Sequence, residues 1–146
     1  SIQIDSDVLS SMVEQLSQNS RTEQGGFLGV DSRGIINSFW YDRDAQRDET
    51  GYMPSSACLT DAIEKWHQSE EMSFAGIIHT HSSLPKLSRS DLVYTKRLLE
   101  CNPCMKRLIM GLVVNNKIKK CKNYLFLSFS ISEVIQPCSL SHLAQS

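Results

Sequence analysis

The 146-residue sequence lacks an excess of either charge, since 15 basic and 16 acidic residues leave a formal net charge of -1. It therefore lacks the broad basic surface that neutralises phosphates in nucleic-acid-binding proteins, and we expect no nucleic-acid partner. No apolar run approaches the ~18 residues of a membrane-spanning helix. The first residues also lack the basic and then apolar segments of a signal peptide. These absences predict a cytoplasmic protein with no membrane partner.

The sequence also lacks a disulfide framework. Its five cysteines are an odd number, and a chain of this length buries roughly 68–70% of its unfolded surface without covalent staples. Reduced thiols are therefore expected at all five positions, which are Cys58, Cys101, Cys104, Cys121 and Cys138. The "CNPC" stretch has no second CxxC or CxxH at a zinc-site spacing, so we interpret it as the turn after a helix.

No internal repeat and no linker rich in Pro, Gly or Ser divides the chain, so a single domain over residues 1–146 is expected. Amphipathic spacing predicts helices over 5–20, 58–72 and 89–100. Apolar runs predict a hairpin over 25–41 and strands over 73–81, 106–116 and 117–131. The polar stretch 42–56, broken by Gly51 and Pro54, predicts a loop. Interleaved strands and helices indicate an α/β protein whose mixed sheet is covered by helices.

The segment "GIIHTHSSLPKLSRSDL" at 76–92 carries two histidines at the end of a predicted strand. In a strand, His79 and His81 point to the same face about 6.6 Å apart, and Thr80 points away. An isolated HxH is more often a pair of ordinary buried histidines. Likewise, Ser88 with Asp91 three residues later is first of all a helix capping box.

Together, however, the two patterns bring two imidazoles and one carboxylate within a short stretch of chain. Three protein ligands with an open fourth position are typical of catalytic zinc, which can lower the pKa of a bound water to about 7. Hydrolysis further needs a proton acceptor and a donor for the oxyanion. The hydroxyl of Ser88 is a candidate donor. Glu23, directly before the glycine-rich strand "GGFLG", is a candidate base, although alone it would be interpreted as a solvated strand-edge residue.

Glu23 ahead of "GGFLG", then "HTH", then Ser88-x-x-Asp91, resembles the JAMM (JAB1/MPN/Mov34) metalloproteases, especially their prokaryotic JAB-domain branch. The resemblance spans roughly residues 6–116. It implies a three-layer α/β/α sandwich of the cytidine-deaminase-like JAB/MPN type. It also implies one catalytic Zn²⁺ held by His79, His81 and Asp91, with Glu23 as general acid/base and Ser88 stabilising the tetrahedral intermediate.

The partners implied by this resemblance are ubiquitin or ubiquitin-like proteins. The expected reaction is cleavage of a peptide or isopeptide bond after their C-terminal Gly-Gly, and E1-like and E2-like pathway proteins are further candidate partners. The sequence departs from the family pattern at Ser82, where proline is usual, and in the six residues 82–87, one fewer than usual. These departures affect the path of the loop, where Pro85 restricts the backbone, more than the ligand set.

Four alternatives stay open. The chain could be a catalytically silent JAB/MPN scaffold that binds a ubiquitin-like partner, or a JAB-type protein that processes sulfur-carrier fusions. Two histidines and a carboxylate also occur in Fe(II) oxygenases, although that class orders its ligands differently on an all-β barrel. DNA-repair-associated relatives share the histidine and aspartate pattern, but the expected basic surface is missing.

Overall fold

The computed structural model describes residues 2–18, 22–48, 51–69, 72–81, 87–116 and 121–130. Three helices are present in this part of the chain: α1 (Ser6–Leu16), α2 (Ser56–Ser69) and α3 (Arg89–Cys101). The strands are β1 (Gln3–Ile4), β2 (Gly25–Val30), β3 (Ile35–Tyr41), β4 (Gln46–Asp48), β5 (Gly51–Met53), β6 (Ser73–His81), β7 (Leu108–Asn116) and β8 (Cys121–Phe129).

Six of the strands form one mixed sheet in the order β1-β3-β2-β6-β7-β8. β6 lies in its interior, antiparallel to β2 and parallel to β7. The β2–β6 register places Gly25 opposite His79, and the β6–β7 register places His79 opposite Leu112. The end of β6 that carries the histidines is therefore held by strands on both sides.

The two faces of this sheet are covered by different helices. On one face, Met12 and Leu16 of α1 pack with sheet residues such as Ile78 and Val113. On the other face, Trp66 of α2 and Leu99 of α3 share a cluster with Phe27, Ile77 and Met110 of the sheet. The predicted three-layer α/β/α sandwich is thereby confirmed, and it differs from the all-β barrel of the oxygenase alternative.

Local signals account for most of the predicted elements. Asp5 caps α1, since its Oδ1 accepts from the N–H groups of Asp7 and Val8 at 3.0 Å each. The helix ends at Leu16, earlier than predicted, and the last predicted residues, 19 and 20, lie outside the described part. β2 and β3 form the expected hairpin, whose turn contains Gly34 at φ 82°, a backbone conformation that favours glycine.

The expectation of an irregular loop over 42–56 is wrong. β4 and β5 pair antiparallel there as a separate two-stranded sheet, with Gln46 opposite Met53. Its residues do not alternate in polarity, so the usual strand signal is missing. The two-stranded sheet is instead held in place by burial of Tyr52 against the main sheet and by a hydrogen bond from the Tyr52 hydroxyl to Asp42.

Of the helices in the described ranges, none has the length and apolar character needed to cross a membrane.

The close approach of β6 and β7 yields a stability prediction. A Cβ at Gly76 would lie 1.8 Å from the carbonyl oxygen of Ile109 on the neighbouring strand. Because that oxygen belongs to the backbone, Gly76→Ala must separate the two strands, and we expect the free energy of unfolding to fall by about 3 kcal/mol or more, the upper end of the usual cost of overpacking. Urea unfolding followed by circular dichroism measures this change.

Gly34→Ala is the matched control for that substitution. Apart from its two chain neighbours, no heavy atom of the described residues lies within 4 Å of a Cβ at Gly34. Only the positive φ therefore lowers the free energy of unfolding, by about 1–2 kcal/mol. Equal losses in the two variants would contradict the close packing of β6 on β7.

Candidate metal centre

His79 and His81 lie at the end of β6, and their side chains project toward the sheet face that α2 and α3 cover. Ile77, two residues earlier, lies in the core cluster on that same face. Their Nε2 atoms are 3.0 Å apart, and His79 is 1% exposed. Thr80 serves the strand pairing instead, because its hydroxyl accepts from the N–H of Gln24 at 2.8 Å. The predicted convergence of the two imidazoles is thus present in the structure.

Asp91 reaches the histidines from the first turn of α3. Ser88 and Asp91 form a reciprocal capping box: Asp91 N–H donates to Ser88 Oγ at 3.1 Å, and Ser88 N–H donates to Asp91 Oδ2 at 2.8 Å. The same Oδ2 lies 3.2 Å from Nε2 of His79 and 3.2 Å from Nε2 of His81. The helix cap therefore aims one carboxylate oxygen at both rings.

The environment of Asp91 keeps its carboxyl group ionised. Burial disfavours the charged form and by itself would raise the pKa of this group, which is 8% exposed. The effect of burial is outweighed by hydrogen bonds from His79 and His81, by the electrostatic attraction of His79 and by the backbone N–H of Ser88. The pKa of Asp91 therefore lies far below its usual range. An anionic oxygen is thus available beside the two imidazoles.

The spacing and chemistry of these three atoms fit a metal ion. Zinc bonds of 2.0–2.2 Å in tetrahedral geometry place neighbouring N and O ligand atoms about 3.3–3.5 Å apart. The three distances here, 3.0, 3.2 and 3.2 Å, are within a few tenths of an ångström of that spacing. Two imidazoles and a carboxylate are also a ligand set that zinc prefers.

Glu23 lies beside the histidine pair just before β2. One of its carboxylate oxygens and a ring nitrogen from each histidine all lie within 4.8 Å of one another. Backbone pairing accounts for this position, because Thr80 N–H donates to the carbonyl of Gln24 at 2.8 Å while Gln24 N–H donates to the Thr80 hydroxyl. Glu23 itself is partly buried. The structure thus brings the predicted base to the predicted metal ligands.

Ser88 is exposed and lies at the N-cap of α3. Its Oγ accepts from Asp91 N–H and lies 3.1 Å from Ser90 Oγ. A hydroxyl that accepts one hydrogen bond still has a proton to donate. The capping interpretation is therefore confirmed, and the role as an oxyanion donor stays a prediction.

Tyr52 is a site residue that the sequence analysis missed. Its ring stacks on that of His79, with centroids 5.5 Å apart and planes 11° apart. It also lines a cleft of about 200 Å³ beside His79 and Asp91, between β5 and α3, together with Met53 and Tyr94. The only available signal was one aromatic residue in the polar stretch 42–56, which is too weak to predict a contact with His79.

The remaining motif, "CNPC", lies at the far end of α3 from Asp91. The helix ends at Cys101 with Asn102 as its C-cap, as expected for a turn after a helix. Cys101 and Cys104 are exposed, and both are free thiols, as is the buried Cys58. The unusual loop at 82–86, including Ser82 and Pro85, lies outside the described residues.

Comparison with solved structures identifies the architecture. A JAB1/MPN domain protein from Archaeoglobus fulgidus matches with a TM-score of 0.51 at 14% sequence identity, over 90% of this chain and 89% of that chain. This chain has a JAB1/MPN-type fold. A protein from Desulfitobacterium hafniense, determined in solution, matches with a TM-score of 0.59 at 18% identity, over 90% of this chain and 84% of that chain.

No protein-family model and no curated protein matches the sequence. The likeness of this JAB1/MPN-type chain to the two solved structures therefore concerns the backbone. The arrangement of Glu23, His79, His81 and Asp91 is supported by interatomic distances within this chain.

Metal content is the direct test of this centre. The chain should bind about one zinc ion, and His81→Ala combined with Asp91→Asn should abolish binding because two of three ligands are lost. Asparagine retains an oxygen that can accept from Ser88 N–H, so the cap of α3 survives. Elemental analysis after desalting measures the zinc, and circular dichroism checks the fold.

Cys101→Ser with Cys104→Ser is the control, since removing the two exposed thiols should leave the zinc content unchanged. If the histidine and aspartate variant retained stoichiometric zinc, the metal would be held elsewhere.

Proposed function

We propose that this chain is a zinc-dependent peptidase or isopeptidase that cleaves after the C-terminal Gly-Gly of a ubiquitin or ubiquitin-like protein. The observation that supports it most is the triangle of His79 Nε2, His81 Nε2 and Asp91 Oδ2, with the Glu23 carboxylate beside it, on a JAB1/MPN-type fold.

In this proposal His79, His81 and Asp91 hold the ion. When bound, zinc supplies Lewis-acid chemistry, since it polarises a carbonyl group and can bring the pKa of a water molecule to about 7. Asp91 is suited to this task because its carboxyl group is already ionised and its orientation is set by the cap. His79 is suited because burial and packing leave its ring little freedom.

Glu23 moves the proton. Its carboxylate accepts a proton from the attacking water as the oxygen bonds to the carbonyl carbon of the substrate. As the carbon–nitrogen bond breaks, the same proton passes to the leaving amine, so Glu23 returns to its ionised form. One carboxylate oxygen of Glu23 lies within 4.8 Å of a ring nitrogen of each histidine. This position allows Glu23 to transfer the proton without itself binding the ion.

Ser88 donates its hydroxyl proton to the developing oxyanion of the substrate. The N-cap position keeps the hydroxyl next to Asp91, and therefore close to the reacting carbonyl group. Such a donor typically contributes 10²–10³-fold to turnover, roughly. Because the same oxygen caps α3, its removal is also expected to lower stability by about 1 kcal/mol.

The cleft beside the metal site supports a substrate without side chains at the scissile end. Tyr52 and Met53 of β5 form one side of it, and Ser90 and Tyr94 of α3 form the other. In this proposal the two glycines of the tail pass through the cleft, where any side chain would add contacts with these walls. A tail in extended conformation can also form main-chain hydrogen bonds with a strand.

Glu23→Gln separates an enzyme from a binding protein. The amide has nearly the same shape but cannot accept the proton, so we expect turnover to fall by ~10²–10⁴-fold while zinc content and substrate binding persist. The measurement is the cleavage rate and affinity for a Gly-Gly-linked substrate, for the variant and the wild type in parallel.

Undiminished cleavage by the Glu23→Gln variant would remove Glu23 as the base. A wild-type protein that binds zinc and substrate without ever cleaving would instead favour the scaffold alternative.

Tail specificity tests the proposed substrate class. A ubiquitin-like protein ending in Gly-Gly and joined to a reporter should be cleaved, whereas the same fusion with Ala-Ala should resist cleavage because its methyl groups contact the walls of the cleft. Product formation by mass spectrometry gives both rates, for linear and isopeptide-linked reporters. Comparable rates for the two tails would argue against this substrate class.

A further inference from the structure

His79 is the most deeply buried group of the metal centre, yet its second ring nitrogen is not anchored. Among the residues that the structure describes, His79 Nδ1 has no hydrogen-bond partner. Histidines that bind a metal usually donate this second N–H to a carboxylate or carbonyl, which fixes the orientation of the ring. Another contact must therefore orient the His79 imidazole.

The ring of Tyr52 provides that contact. It lies nearly parallel to the imidazole, with centroids 5.5 Å apart and an interplanar angle of 11°. Tyr52 is 8% exposed and belongs to the core cluster between the sheet and the helices α2 and α3. A flat ring held in this position restricts rotation of His79 and keeps Nε2 toward His81 and Asp91.

Tyr52 is itself anchored by a buried carboxylate. Its hydroxyl donates to Asp42 Oδ2 at 2.9 Å, and Asp42 is 0% exposed. Ser55 N–H donates to the same oxygen at 2.8 Å, and Asp44 N–H donates to Oδ1 at 3.2 Å. Three donors therefore converge on the two oxygens of the Asp42 side chain. The far end of the Tyr52 ring is thus held in place.

The strand opposite His79 is shaped to admit the ring. Gly25 pairs with His79, and a Cβ there would lie 2.4 Å from Cζ of Tyr52. The backbone N–H of Asp42 donates to the carbonyl of Gly25 at 3.0 Å, which fixes the carboxylate relative to the same strand. Gly25, Asp42 and Tyr52 therefore form one connected support behind the imidazole.

We propose that Tyr52, anchored by Asp42, is a positioning residue that orients His79 for metal binding by stacking in place of a hydrogen bond at Nδ1. This role rests on the proposed metal centre. In this role the aromatic ring of Tyr52 contacts His79, and the Tyr52 hydroxyl serves only to hold that ring in place.

Zinc affinity of the apoprotein measures this role without any assay of activity. The 146-residue chain carrying Cys101→Ser and Cys104→Ser is titrated with zinc against a chromophoric chelator. The temperature is one at which circular dichroism shows every variant to be folded. Tyr52→Ala should weaken binding by about 10–100-fold, the usual effect of losing a supporting contact of a metal ligand. Tyr52→Phe keeps the ring and should restore most of the affinity.

Phe74→Ala is the matched control. Phe74 packs against the same core cluster and contacts Phe27 with centroids 6.3 Å apart, so its truncation also lowers stability. Because Phe74 makes no ring contact with His79, the zinc affinity of the folded variant should equal that of the parent. Tyr52→Leu, which fills part of the space without a flat ring, replaces Tyr52→Ala if the alanine variant does not fold.

Binding of Co²⁺ provides a second measurement on the same variants. The visible absorption of bound Co²⁺ reports ligand geometry, so a misoriented His79 should change the spectrum of Tyr52→Ala but not that of Phe74→Ala. Equal affinities and spectra for Tyr52→Ala and the parent would overturn the proposal, as would a Tyr52→Phe variant as weak as Tyr52→Ala. A parent protein that binds no zinc would overturn the metal centre as well.

Discussion

One carboxylate oxygen, Asp91 Oδ2, connects the start of α3 to the end of β6. It accepts the N–H of Ser88 and lies 3.2 Å from both histidine Nε2 atoms. A buried charge is costly unless donors surround it, and here the cap and the two rings provide them. The cap and the candidate metal centre consequently depend on the same atom, so the first turn of the helix cannot move without displacing a candidate ligand.

The position of Glu23 depends on strand register rather than on a helix. Gln24 and Thr80 exchange two hydrogen bonds of 2.8 Å although they lie 56 residues apart in the chain. Because side chains alternate along a strand, a shift of one residue would turn Glu23 away from the histidines. Thr80, the central residue of "HTH", thus aligns the proposed base while its neighbours face the candidate metal.

The likeness to a solved JAB1/MPN domain protein is found at 14% identity, and the likeness to the Desulfitobacterium hafniense structure at 18%. Packing explains how this is possible, since a core tolerates many apolar exchanges if volume and pattern are kept. The proposed metal centre would have no such tolerance, because each imidazole or carboxylate in it must lie at a particular end of a particular strand or helix. The motif and the backbone likeness both indicate the JAB1/MPN type.

The sequence by itself determined the elements whose signals are local. The apolar run that ends in "HTH" predicted β6 as Ser73–His81, and the capping box predicted the start of α3, because both depend on neighbouring residues. Only the tertiary structure decided that β4 and β5 pair and that Tyr52 stacks on His79. The stack joins a polar stretch without periodicity to a strand more than twenty residues away. Burial of Tyr52 and its hydrogen bond to Asp42 hold both the stack and the β4–β5 pair in place, and no local pattern encodes these contacts.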